Sequence, residues 1–251
     1  MVLGANRRRV VALVPALNEE STIGGVVSGA LRYVDQVVVV DDLSVDNTAE
    51  CAKRAGAFVV TLDSRRRIGG VIKAGLSYVR LLEPDVVVIL DGDGQHNPDD
   101  IPLLLKGLDG DGVSWVIGSR FLFNKLNHNP GLGAWYYRQK KHIYIKGVGN
   151  WFFSKLVSAL VGIYITDVMS GFKAMSRETI DALDLKFDYA YGPEMAMLLC
   201  FQEYRFCEVP VEVRQRVKGT SKVVVNIIPY GIKQLGIVFF TLLRKKFGCI
   251  I

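Results

Sequence analysis

Cysteine is scarce. The four present (Cys51, Cys200, Cys207 and Cys249) form no C-x-x-C pair and have no histidine at ligand spacing. The pattern gives no zinc site and reads as reduced thiols, mostly in the core, of a cytosolic protein. His128 and His142 read as polar loop residues and are assigned no metal. No G-x-G-x-x-G follows the first apolar run, where "PALNEES" stands instead, which argues against a dinucleotide-binding dehydrogenase. No G-x-x-x-x-G-K-[ST] occurs, which argues against a P-loop nucleotidase. There is no low-complexity tract. The N-terminal "MVLGANRRRVVALVPALNEE" has a basic patch and an apolar run but no small-residue cleavage site, so it reads as a first strand and not as a signal peptide. The C-terminal apolar run "LGIVFFTLL" (Leu235–Leu243) is too short to span a bilayer.

What remains is a chain of 251 residues, 50% apolar, enough for one large α/β domain with a substantial core. Its net charge of +6 suits an anionic partner: nucleic acid, an anionic membrane surface or a phosphorylated small molecule. The basic residues cluster at Arg7–Arg9, Arg65–Arg67, Arg138 with Lys140 and Lys141, and Arg244–Lys246. Without a recognised binding module these clusters do not point to nucleic acid.

The first half of the chain alternates between apolar runs and helical patterns. "VVALVPAL" (Val10–Leu17), "QVVVVDD" (Gln36–Asp42), "AFVVTL" (Ala57–Leu62), "DVVVIL" (Asp85–Leu90) and "SWVIGSRF" (Ser114–Phe121) read as strands. Between them, "STIGGVVSGALRYV" reads as a helix capped by Ser21, "DNTAECAKRAGA" as one capped by Asp46, "GGVIKAGLSYVRLL" as a third, and "PDDIPLLLKGL" as a fourth with Pro98 near its first turn. Near-continuous apolar strands separated by helices imply an α/β fold: a mostly parallel, Rossmann-type sheet with helices on both faces. In such sheets ligands bind outside the carboxyl ends of the strands. Asn18 and Glu19 follow strand one, Asp41 and Asp42 end strand two, and Asp91 and Asp93 end strand four, so three segments deliver acids and amides to one rim.

Two carboxylates one residue apart at a strand end can hold Mg²⁺ or Mn²⁺, whose remaining positions are filled by water and substrate phosphates. Such a cation offsets charge that grows on a departing diphosphate. Gly92 and Gly94 leave room for a ligand to approach, and Asp42 can accept hydrogen bonds from a base or ribose.

The ordered segments "VPALNEESTI", "VVVVDDLSVDNT", "VVVILDGDGQHNPDDIPLLL", "VIGSRF", "DVMSGFKAMSRE" and "EVPVEVRQRVKGTSK" resemble the family 2 inverting glycosyltransferases, and within them the polyprenyl-phosphate sugar synthases. The resemblance runs from about Val10 to Lys222. It implies a GT-A fold and transfer of a mannose- or glucose-type hexose from a GDP- or UDP-sugar to dolichyl or polyprenyl phosphate, with Mg²⁺ or Mn²⁺. By position, Pro15, Leu17 and Glu19 would line the nucleoside pocket, with Asp42 at the ribose or base. Asp91 and Gly92 would lie under the donor, and Asp91, Asp93 and Gln95 would hold the metal. Arg120 would face the donor sugar or the acceptor phosphate, and Arg216 and Lys222 would close over the phosphates. Asp93, Arg120 and Asp167 are the expected catalytic set. Two departures stand out. The usual "N-x-G-x-G-x-A" reads "RRRIGGV" here, so Arg65–Arg67 either add diphosphate contacts or form an altered, exposed loop. The acid motif reads "DGDGQH" where mannose synthases often show "DADLQH".

A hydroxyl acceptor needs a general base, whereas a phosphate monoester is already largely a dianion at neutral pH and needs cations to position it. Arg120, Arg138, Lys140, Lys141, Arg216, Lys218 and Lys222 are candidates. Asp167 is either a base or a residue holding the loop after a sixth strand. Aromatic and basic residues mix around Trp135–Lys141 and Trp151–Phe153, and basic flanks surround Leu235–Leu243, as in segments that lie in a membrane interface; a core or dimer helix is the alternative. The expected organisation is a GT-A domain over residues 1–222 and an amphipathic extension over 223–251, peripheral on the cytoplasmic face of a membrane. The rival readings are an inverting transferase acting on a sugar hydroxyl and a non-catalytic membrane-recruitment subunit.

Overall fold

The computed structural model describes residues 7–122, 141–214 and 227–248, with the backbone alone for 141–146 and 227–228. Seven strands form one sheet in the order β3-β2-β1-β4-β6-β5-β7. β1 (Val10–Ala16), β2 (Gln36–Asp41), β3 (Phe58–Thr61) and β4 (Val86–Ile89) are parallel. β5 (Val113–Ser119) and β7 (Arg205–Pro210) pair parallel with each other. β6 (Lys173–Ser176) is reversed and lies between β4 and β5. The mostly parallel sheet expected from the alternation is observed, with this one strand inserted against its direction.

The apolar runs are continuous because both sides of every central strand are covered. Val11 and Leu13 of β1, Val38 and Val40 of β2, and Val87 and Ile89 of β4 enter one core. Their neighbours Ala12, Val14, Val37, Val39, Val86 and Val88 enter the other. Successive side chains on a strand point to opposite faces, so alternation of polarity disappears when both faces are buried. Each fully buried aliphatic side chain contributes roughly 1.5–3 kcal/mol. One face is covered by α1 (Ile23–Ala30), α2 (Thr48–Arg54) and α4 (Ile101–Gly107). The other is covered by α3 (Ile68–Leu81), α5 (Lys141–Val161), α6 (Arg177–Ala182), α7 (Gly192–Phe201) and α8 (Ile227–Lys246).

Several local expectations change. α1 is preceded by Thr22 as its boundary residue and not by a capping Ser21, and Thr22 makes no side-chain cap. Its hydroxyl is recruited instead by the carbonyl of Gly92, at 2.9 Å. The boundary residue of α2 is Asn47, but Asp46 still accepts from the amide of Thr48 at 3.0 Å, so the carboxylate caps from one position earlier. Pro98–Asp100 form a 3₁₀ turn before α4. His142 lies in α5 and not in a loop; His128 and Trp135–Lys140 lie outside the described residues. Asp167 precedes β6 and does not follow it.

α8 packs one side against the domain. Gln234, Ile237, Val238 and Thr241, at i, i+3, i+4 and i+7, are buried, and Val238 joins the core that contains α7. Arg244 ties the far end down through Asp184 at 3.0 Å and buried Glu194 at 3.3 Å. The opposite side exposes Ile232, Leu235, Phe239 and Phe240. Among the described residues no helix is long and apolar enough to cross a membrane.

Candidate functional site

The loops at the carboxyl ends of β1 and β2 are tied to each other. The Asn18 amide donates to Ser44 Oγ at 2.8 Å, and Asn18 Oδ1 accepts from the Val45 amide at 2.8 Å. The Glu19 amide donates to Thr48 Oγ1 at 2.7 Å. Asn18 and Leu43 both have left-handed backbones, with φ of 49° and 55°. Such conformations cost of order 1–3 kcal/mol each and persist only where the surroundings hold them. With Thr22 bonded to Gly92, three strand ends form one connected rim.

That rim opens on a cleft of about 540 Å³, within the usual size of a small-molecule site. Pro15, Leu17 and Glu19 line it from the end of β1, and Asp42 from the end of β2. Asp91, Gly92, Asp93 and Gln95 line it from the end of β4. Eight of the residues expected at a donor site are thus brought together from three strands. Arg120 is not among the lining residues, and Arg216, Lys218 and Lys222 lie outside the described residues.

The acid pair is held from behind. Asp93 is buried, and its Oδ1 accepts from the Gln95 amide at 2.9 Å. The Gln95 side chain donates to the carbonyl of Arg214 at 3.3 Å. His96, buried and stacked on Phe172 at 5.1 Å, accepts the Asp91 amide on Nδ1 at 3.3 Å. Burial pushes the imidazole down to about 4, against the pull of the Asp93 carboxylate. His96 is therefore neutral near pH 7, and its 3.7 Å approach to Asp91 Oδ2 is not an ion pair. Gly171 presses on Asp91 from the other side: a Cβ there would lie 2.5 Å from Oδ2. Gly94, with φ of 73°, makes the turn that a side chain would strain. Two carboxylates and a carboxamide facing one cleft are a donor set that suits Mg²⁺ or Mn²⁺ completed by water and phosphate oxygens. Among the described residues no group of three or more His, Cys, Asp or Glu forms a self-sufficient metal cage.

Beneath the acids lies a buried charged network. Arg120 forks onto Asp167 through Nε at 2.6 Å and Nη2 at 2.7 Å, and its amide donates to the same carboxylate at 3.1 Å. Asp167 is fully buried, and its own amide is held by Glu208 at 3.1 Å. Burial raises the Glu208 carboxyl above its ordinary value, although three bonds to Thr166 and Asp167 oppose the shift. The Lys173 ammonium donates to the carbonyl of Ser170. Burial lowers it to about 8, while Asp167 works in the opposite direction.

Other lining residues bear on the chemistry, among them Arg65 and Arg67, whose place the sequence left open, and Tyr189, Tyr191 and Tyr230, which it did not single out. Arg65 and Arg67 of the basic loop line the cleft, with Arg65 3.5 Å from Asp42 Oδ2. Burial raises the Asp42 carboxyl, opposed by the Arg66 amide and the Arg65 charge. The loop is thus exposed and part of the site at once. Tyr189 is flanked by cations: Arg67 lies 4.8 Å and Lys233 4.6 Å from its ring centroid. Tyr191 precedes α7, and Tyr230 reaches the cleft from α8. The aromatics in "DYAYGPE" just before a helix-starting proline were an available signal; nothing local marks Tyr230.

Residues 11–183 match the family model described as glycosyl transferase family 2. The UDP-N-acetylglucosamine–dolichyl-phosphate N-acetylglucosaminyltransferase of Methanococcus voltae is 26% identical over 264 residues, covering 95% of this chain and 96% of that protein. The undecaprenyl-phosphate mannosyltransferase of Micrococcus luteus is 28% identical over 246 residues, 89% of this chain and 94% of its own. Among solved structures, glucosyl-3-phosphoglycerate synthase from Mycobacterium tuberculosis, crystallised with Mn²⁺ and UDP-glucose, superposes with a TM-score of 0.68. It is 20% identical, covering 94% of this chain and 79% of that one. The fold is of the GT-A type.

Proposed function

The chain belongs to glycosyl transferase family 2, and from that premise we propose that it transfers a hexose, with inversion, from a nucleotide-diphosphate sugar to a polyprenyl phosphate such as dolichyl phosphate. The observation that carries the choice of acceptor is the Arg120–Asp167 pair. Asp167, the candidate base, is fully buried with both oxygens engaged by one guanidinium. Glu194, in the first turn of α7, is fully buried and accepts from the amides of Lys186 and Phe187. A hydroxyl acceptor requires an accessible base; a phosphate dianion does not. Two relatives are named for transfer to a polyprenyl phosphate, which agrees with this reading.

In this mechanism Pro15, Leu17, Glu19 and Asp42 receive the nucleoside, and Asp91, Asp93 and Gln95 would hold a divalent cation. When bound, Mg²⁺ or Mn²⁺ supplies positive charge opposite the leaving diphosphate. An oxygen of the acceptor phosphate attacks the anomeric carbon from the face opposite the diphosphate. The bond from that carbon to the diphosphate oxygen breaks, the nucleoside diphosphate departs with the bonding pair, and one displacement inverts the centre. Arg65 and Arg67 at the cleft, with Arg216 and Lys222, offset the repulsion between the two phosphate groups. Asp167 acts through Arg120, fixing its guanidinium beside the site.

The acceptor's hydrocarbon keeps it in a bilayer, and the exposed faces of α5 (Val148, Trp151, Phe152) and α8 (Ile232, Leu235, Phe239, Phe240) suit an interface, with exposed Lys245 and Lys246 nearby to meet anionic lipid. The enzyme would work as a peripheral protein on the cytoplasmic side.

The test is transfer from labelled UDP-glucose, UDP-N-acetylglucosamine and GDP-mannose, with Mg²⁺ or Mn²⁺, to a short polyprenyl phosphate, the matching polyprenol and free saccharides. Label on the polyprenyl phosphate alone is expected. Label on saccharide hydroxyls, with none on the phosphate, overturns the acceptor assignment.

A further inference from the structure

The wall of the cleft carries a polar group that is unpaired among the described residues. Tyr191 stands at the N-terminal boundary of α7, lines the cleft and is 6% exposed. Its hydroxyl has no hydrogen-bond partner among the described residues. The ring is fixed in place. Its backbone carbonyl accepts from Met195 at 2.8 Å, and the buried Lys173 ammonium lies 5.5 Å from the ring centroid. Burial, and then the carboxylate of Asp91, push the hydroxyl well above its ordinary range, so it remains an O–H donor. Tyr230, also in the cleft wall, differs: its hydroxyl accepts from Gln234 at 2.8 Å.

Buried hydroxyls are almost always paired, and one left unpaired disfavours the folded state. A neutral O–H buried in the wall of a ligand cleft gains its partner when a ligand seats against that wall. The position indicates which part of the ligand. The nucleoside groups come from the ends of β1 and β2, whereas Tyr191 neighbours Asp91 at the end of β4 and sits on α7. The phosphates meet the Arg65 and Arg67 charges at the cleft, which leaves the neutral Tyr191 hydroxyl to the uncharged sugar hydroxyls. Resting on the glycosyltransferase reading above, we propose that Tyr191 is a specificity-determining residue, whose hydroxyl donates a hydrogen bond to one hydroxyl oxygen of the transferred hexose. A site built to pair a particular hydroxyl rejects the sugar lacking it, because the protein's own group is then left buried and unpaired.

The experiment uses the full chain and Tyr191→Phe, with calorimetry in Mg²⁺ or Mn²⁺. The titrants are UDP, GDP, UDP-glucose, UDP-N-acetylglucosamine, GDP-mannose and monodeoxy versions of whichever sugar nucleotide binds. Tyr191→Phe is expected to bind that sugar nucleotide about 10-fold more weakly, to bind the bare nucleoside diphosphate as the wild type does, and to melt at the same temperature or higher. One monodeoxy analogue should lose a similar factor on the wild type and none on the variant. An equal loss for the bare diphosphate assigns the hydroxyl to phosphate and overturns the proposal. So does unchanged sugar-nucleotide affinity, or an effect confined to the KM of the polyprenyl phosphate. A wild-type protein that binds no nucleotide or sugar nucleotide overturns the glycosyltransferase reading itself, and the tyrosine assignment with it.

Discussion

Gly171→Ala is the substitution that most sharply separates the site from the fold. The added methyl would stand 2.5 Å from Asp91 Oδ2, 2.9 Å from Oδ1 and 3.0 Å from the carboxyl carbon. Ordinary van der Waals contact begins near 3.4 Å, so Oδ2 must recede by about 0.9 Å (3.4 less 2.5). Asp91 is partly exposed and can turn without disturbing the core, so the cost in stability should stay near 1 kcal/mol. Its effect on the site is larger. A displacement of about 1 Å in a group that positions reactants can cost about 100-fold in rate. Expected, then, are a melting temperature within a few degrees of wild type, a roughly 100-fold drop in kcat, and a raised divalent-cation requirement. Gly25→Ala is the control: a Cβ there meets nothing within 4 Å, and in a helix the change should be neutral or stabilising by up to about 1 kcal/mol. Wild-type kcat in Gly171→Ala, at wild-type metal concentration, would refute a working role for Asp91 in its present orientation. Collapse of the fold would refute the claim that the carboxylate can give way.

Asp93→Asn should leave melting nearly unchanged and lower turnover by about 10²–10³, the usual effect of losing one electrostatic element at a reacting diphosphate; activity within a few-fold of wild type with metal still required would place the cation elsewhere. Glu194 offers a pH test, because burial raises its carboxyl above the ordinary 4.5 despite bonds from Lys186 and Phe187 and the Arg244 charge. A raised carboxyl means the folded state binds the proton more tightly, so this contribution is present below 4.5 and lost as pH climbs through the raised value. The wild-type melting temperature minus that of Glu194→Gln should therefore fall as pH rises from about 4 to 7, and a rising difference would contradict the burial argument. The pair Phe239→Ser and Phe240→Ser, 55% and 54% exposed, should spare stability and weaken binding to phosphatidylglycerol vesicles about 10-fold or more. Unchanged vesicle binding would show that α8 does not face lipid.

The strands of the first half were legible because they are decided locally. Runs such as Val37–Val40 and Val86–Ile89 are long enough in β-branched residues to fix strand identity, and their unbroken apolarity reports burial on both faces. With the strands in order, the rule that ligands gather at their carboxyl ends placed Glu19, Asp42, Asp91 and Asp93 on one rim without any knowledge of packing. The role of the basic loop could not be decided that way: Arg65 and Arg67 belong to the cleft because Asp42 and Tyr189 come to meet them, and those partners are distant in sequence. β6 shows the same limit. Four residues, Lys173–Ser176, carry no direction of their own, and only pairing with β4 and β5 reverses the strand and sets the preceding loop, with Asp167, against Arg120. The sequence by itself determined the alternation, the two-sided burial and the acid-bearing rim, since these follow from side-chain period and strand ends. Tertiary structure alone decided that Asp167 is sealed under a guanidinium and that a helix beyond residue 222 lends Tyr230 to the cleft, because charge pairing and burial depend on chain segments that meet only when the whole domain has closed.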